Sequence, residues 1–81
     1  DNLMNRRILV IGSGGREHAL IAALARTNPE AELFCAPGNA GMEPLATLID
    51  IPVTNIELMA EACTRHQINL VIVGPELPLS L

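Results

Sequence analysis

The chain of 81 residues has no lysine, tryptophan or tyrosine, a single phenylalanine and only two cysteines. Each scarcity removes a class of protein. Without lysine the P-loop G-x-x-x-x-G-K-[ST] cannot be written, so a Walker-type nucleotide cradle is excluded. Five arginines against nine acids give a net charge of -4, which argues against a nucleic-acid surface or an anionic membrane surface. Cys35 and Cys63 stand far apart with no C-x-x-C or His/Cys metal spacing, and read as core thiols in a reducing, cytoplasmic setting. No apolar run is long enough to span a bilayer as a helix, and the N-terminus lacks a signal-type segment. With 49% hydrophobic residues and Phe34 the one aromatic, the core must be built from Ile, Leu, Val and Ala, the composition of parallel strands covered by helices.

Arg7 to His18, R-I-L-V-I-G-S-G-G-R-E-H, is the richest segment. An apolar run ending at Ile11 breaks into Gly12, Ser13, Gly14 and Gly15 and restarts as a helix. Glycines there bring bare backbone near a ligand. The helix that follows turns its unpaired N–H groups and positive dipole end to the same spot, which suits a phosphate or a carboxylate. The dinucleotide fingerprint G-x-G-x-x-G fits Gly12 and Gly14 but places Glu17 at its third glycine. Its ribose-binding acid is also missing, because the second strand runs out into Ala36 and Pro37. A sugar monophosphate held by backbone N–H groups, with Arg16 the nearby cation, fits better than a dinucleotide.

Apolar runs at Ile8–Ile11, Leu33–Ala36 and Leu70–Val73 read as strands buried on both faces, and Leu48–Ile51 as a short third strand. A helix is expected over Arg16–Thr27, with Ala19, Leu20, Ala23 and Leu24 inward and Asn28–Pro29 as its stop, the asparagine supplying a left-handed cap. A second should start at a capping box of Thr54 and Glu57 and run to about His66, with Ile56, Met59, Ala60 and Cys63 inward and His66 serving the helix dipole. The order predicts an α/β, Rossmann-like open sheet, mainly parallel, with flanking helices. The fourth strand would then lie beside the first, opposite the second, so that Gly12–Glu17, Pro37–Gly41 and Gly74–Glu76 converge on one rim. Residues 1–6 read as an N-terminal extension and 7–81 as one domain, the leading part of a larger protein.

Three motifs, G-S-G-G-R-E-H-A-L at Gly12–Leu20, A-P-G-N-A-G at Ala36–Gly41 and V-G-P-E-L-P-L at Val73–Leu79, together resemble the N-terminal domain of the glycinamide ribonucleotide synthetase (phosphoribosylamine–glycine ligase) family. The likeness runs from Arg7 to Leu79; Met42–Ile51 match only loosely. Related ligases and carboxylases carry this type of domain ahead of an ATP-grasp module, but their first loops do not usually read G-G-R-E-H. The resemblance implies ATP-driven joining of glycine to 5-phosphoribosylamine in purine biosynthesis, with ATP and Mg2+ held in an ATP-grasp part outside this chain. Glycine would also be bound there.

On that basis the expected substrate-binding residues are Ser13, Gly14, Gly15, Arg16, Glu17, Asn39, Gly41, Pro75 and Glu76, with no catalytic nucleophile and no metal ligand. Gly14 and Gly15 would offer N–H groups to the 5-phosphate and Ser13 a hydroxyl. Arg16 would pair with the phosphate or with Glu17. Glu17 and His18 would touch ligand or orient the loop from the first helical turn. Asn39 would bond a ribose hydroxyl or serve turn chemistry alone. Glu76 would accept from ribose hydroxyls or steady the amine. Two other classes stay open: a fragment of a nicotinamide-dependent oxidoreductase, and a noncatalytic Rossmann-like interaction domain.

Overall fold

A computed structural model describes residues 6–73 of the chain. In chain order the elements are β1 (Arg7–Gly12), α1 (Gly15–Thr27), β2 (Glu32–Pro37), a 3-10 turn (Ala40–Met42), β3 (Thr47–Leu48), α2 (Ile56–Arg65) and β4 (Leu70–Val73). The strands form one sheet in the order β3-β2-β1-β4, and every pairing is parallel. The α/β Rossmann-like class follows, and β4 lies beside β1 on the side away from β2. Ile11 is in register with both Ala36 and Val73, so β1, β2 and β4 finish at one rim.

Alternation along β1 splits the core in two, as a sheet covered on both faces requires. Ile8 and Val10 join Leu33, Cys35, Ile21 of α1 and Met42 on one face. Leu9 joins Phe34, Ala36, Ile49, Ile51 and Met59 and Ala62 of α2 on the other. Leu9, Val10 and Ile21 are fully buried, each side chain stabilising by about 1.5–3 kcal/mol.

The helices depart from expectation in which residues they bury. In α1 the inward residues are Glu17 and Ile21, with Leu20 and Leu24 packed alongside, whereas Ala19 is exposed. The stripe follows i, i+3, i+4, i+7 from Glu17, a register hidden by counting Glu17 as a polar, outward residue. Its stop is at Asn28 as expected, but Asn28 has φ -133°, so no left-handed cap forms. In α2 the cap is Asn55, whose Oδ1 accepts from the Leu58 N–H at 3.0 Å, and the expected Thr54–Glu57 box gives way to it. Met59 and Ala62 are buried and Cys63 packs against them, while Ile56 and Ala60 face out. The third strand pairs only through Thr47 and Leu48, earlier than Leu48–Ile51. Ile49 and Ile51 are buried instead in the connection to α2, where the Ile51 N–H donates to the Ile49 carbonyl at 2.8 Å.

At the opposite edge from the rim, Arg7 ties three elements together. Its backbone N–H donates to Asn69 Oδ1 at 2.7 Å and its guanidinium pairs with Glu32. The same guanidinium lies 5.1 Å from the centre of the Phe34 ring, which His66 flanks from 5.2 Å. His66 stands at the C-cap of α2.

Candidate functional site

The rim is wired together by short polar contacts between the first two loops. The Gly12 carbonyl accepts from the Gly38 N–H at 3.0 Å and from the buried Cys35 thiol at 3.4 Å. Asn39 bridges outward: Nδ2 donates to the Ser13 carbonyl at 2.7 Å and Oδ1 accepts from the Gly41 N–H at 2.9 Å. Both ends of the Asn39 amide are therefore engaged in holding the loops together. The His18 ring backs onto Gly41, where a Cβ would stand 3.3 Å from Cε1. The His18 ring thus lies between α1 and the second loop.

Glycine is required at Gly12 and Gly38. Gly12 has φ +144°, and a Cβ there would fall 2.4 Å from Cγ of Glu17. Gly38 has φ +67°, and its Cβ would meet Leu48 at 2.7 Å. Gly15 differs: nothing lies within 4 Å of its Cβ position, so the space before it is open to solvent or ligand.

Glu17 is 1% exposed, and its Oε1 accepts from the Gly14 N–H at 2.9 Å. This is the side-chain half of a capping box, returned to a glycine that has no side chain of its own to contribute. The positive end of α1 favours a carboxylate in this turn, which offsets part of the cost of burying it. Sequence reasoning placed Glu17 in the site without its inward course. The signal that could have shown it was the absence of a capping side chain at Gly14.

The N–H of Gly14 is engaged by Glu17, so the free-facing donors of the helix start are those of Gly15 and Arg16, which have no carbonyl four residues back within α1. Ser13, Gly14, Gly15 and Arg16 are all exposed on the rim, beside the exposed Asn39 and Gly41. The structure therefore brings together seven of the expected residues, Ser13 through Glu17 with Asn39 and Gly41. Pro75 and Glu76 lie outside the described residues, as does the V-G-P-E-L-P-L motif beyond Val73. A shallow depression of about 710 Å³ lies elsewhere, on the face of α2 formed by Glu57, Ala60, Glu61, Thr64 and Arg65. It contains no strand end or loop, and the rim is the better site because backbone donors converge there.

Burial, and then the charge of Glu17, pushes the Cys35 thiol above its ordinary range, so Cys35 sits protonated beneath the loop as a hydrogen-bond donor. Among the described residues no three His, Cys, Asp or Glu side chains come together to hold a metal. No described helix is long and apolar enough to cross a membrane.

A parallel α/β sheet with a glycine turn opening its first helix at a shared strand rim defines the class: a Rossmann-like α/β domain. Within that class the chain belongs to the family described as phosphoribosylglycinamide synthetase, N domain, which it matches over residues 6–81. It is 45% identical over 73 residues to a phosphoribosylamine--glycine ligase of Caldanaerobacter subterraneus subsp. tengcongensis, with 90% of this chain and 18% of the relative covered. Against the enzyme of the same name from Rhizobium meliloti the identity is 44%, covering 90% of this chain and 17% of the relative. The trifunctional purine biosynthetic protein adenosine-3 of Gallus gallus is 46% identical over 79 residues, covering 95% of this chain and 8% of the relative. The chain thus spans less than a fifth of these relatives' length.

Proposed function

We propose that this chain is the phosphoribosyl-binding part of an ATP-dependent ligase that joins glycine to 5-phosphoribosylamine in purine biosynthesis, a cytoplasmic reaction. The observation that carries the reading is the open space before Gly15, at the start of α1, in a chain of this family. The Gly15 and Arg16 N–H groups would receive the 5-phosphate, with the Arg16 guanidinium and the Ser13 hydroxyl beside them. Charge-assisted bonds of this type contribute about 1.5–3 kcal/mol each. Asn39 acts by holding the Ser13 loop against Gly41, and Glu17 by fixing Gly14. Glu76 and Pro75, from the third motif, complete the proposed contacts to ribose and amine.

The chemistry such a site performs is positional: the amine is held where it can attack an activated glycine carboxylate. ATP with Mg2+ would supply the activation. Glycine and ATP would be held by a further part of such a ligase.

Gly15→Val tests the reading. Its side chain enters open space, so the fold should persist with unchanged far-UV dichroism, while turnover of a polypeptide of the relatives' full length carrying this segment falls at least about 100-fold. Unchanged turnover would overturn the reading.

A further inference from the structure

In the dinucleotide fingerprint the second glycine lets bare backbone approach a pyrophosphate, and the third lets helix and strand pack closely. Here the second position is Gly14 and the third is Glu17. The Glu17 side chain folds back across the turn. Its Cγ, Cδ and Oε1 stand 2.4, 2.6 and 2.9 Å from the Cβ position of Gly12, and Oε1 lies 3.2 Å from that of Gly14. The same oxygen takes the Gly14 N–H at 2.9 Å. A buried carboxylate therefore backs the turn between the first two glycines and engages from beneath the Gly14 donor that a second phosphate would need.

We propose that Glu17 is a specificity-determining residue: it closes the turn to pyrophosphates and dinucleotides and leaves only the Gly15–Arg16 end of the helix for a single phosphate. The inference rests on the phosphoribosyl reading above for its ligand, but its mechanism is independent of it. Two effects act in the same direction. One donor is engaged inside the protein, and a buried carboxylate lies directly beneath the turn, where its charge would repel a second phosphate above it. Glu17 need not touch the permitted ligand to do this, which agrees with its 1% exposure.

The test is an amide NMR titration of the whole chain and of its Glu17→Ala and Glu17→Gln variants with ribose 5-phosphate, inorganic pyrophosphate and NADH. In the unaltered chain, ribose 5-phosphate should shift Gly15 and Arg16, and pyrophosphate and NADH should bind at least tenfold more weakly. Glu17→Ala should raise pyrophosphate affinity tenfold or more and bring the Gly14 amide into the shifting set. Glu17→Gln, which keeps an acceptor for Gly14 but loses the charge, should gain threefold or more. If Glu17→Ala does not fold, the Gln variant decides. A folded variant with no gain for pyrophosphate overturns the inference even where ribose 5-phosphate still binds. A gain for pyrophosphate with no ribose 5-phosphate binding in any form sustains the inference and overturns the phosphoribosyl reading instead.

Discussion

Cys35 shows how one buried residue connects the site to the stability of the fold. It is fully buried beneath the glycine turn, donates to the Gly12 carbonyl, and is held protonated above its ordinary range by burial and by the charge of Glu17. Below about pH 8.5 folded and unfolded chains both carry the proton, and the contribution is complete. As pH rises further the unfolded chain loses the proton while the folded chain keeps it, so stability falls until the folded thiol also ionises. This chain has no lysine and no tyrosine to titrate in that window. Urea midpoints measured from pH 8 to 11 should therefore decline, with a slope of up to about 1.4 kcal/mol per pH unit. Cys35→Ala should flatten that decline; an unchanged slope would show that the thiol is not its source.

The end of α2 is a complete helix stop built without its usual residue. The Ile68 N–H donates to the Cys63 carbonyl at 2.9 Å and the Gln67 N–H to that of Thr64 at 3.2 Å, the paired bonds of a Schellman motif. Cys63 and Ile68 both pack on the core beside it. The position that glycine ordinarily fills is Gln67, at φ +54°. A left-handed non-glycine residue costs about 1–2 kcal/mol, and glycine returns part of any gain through its freer unfolded state. Gln67→Gly should raise stability by about 0.5–1 kcal/mol, read as a higher urea midpoint with an unchanged slope; a lower midpoint would refute the argument. The same element marks the limit of sequence reading. Strands were legible at Ile8–Ile11 and Leu33–Ala36 because a parallel strand buried on both faces is a continuous apolar run; Leu70–Val73 is a strand as expected but not a buried one, since Leu70 and Val71 are exposed and it pairs, among the described residues, with β1 alone. Helix faces were less so, since alanines fit either side and the cap at Asn55 competed with an equally good box one residue earlier. At the site, the meeting of the first two loops followed from strand order, but the bonds from Asn39 to Ser13 and from Glu17 to Gly14 depend on register that no local motif carries.

Across the whole molecule the strand order β3-β2-β1-β4 sets an uneven stability. β1 is bonded on both sides, and Leu9 and Val10 are fully buried between the two helical layers. β4 pairs, among the described residues, with β1 alone, and Leu70 and Val71 remain 38% and 43% exposed. β3 contributes only Thr47 and Leu48 to the ladder. A sheet this small has few buried contacts to spare, so its edges should open at a lower free energy than its centre. Native-state hydrogen exchange should therefore find the slowest amides in β1 and in the residues of β2 that face it, exchanging only by global unfolding. The amides of β4 should exchange at least tenfold faster, through local opening that adding a little urea barely changes. Equal protection of β4 and β1 would mean that β4 is held by contacts other than the ladder to β1. The consequence for the site is direct: the Gly12 turn and the Cys35 thiol hang from strands paired on both sides, whereas the third motif begins at Val73, on β4, which among the described residues pairs with β1 alone.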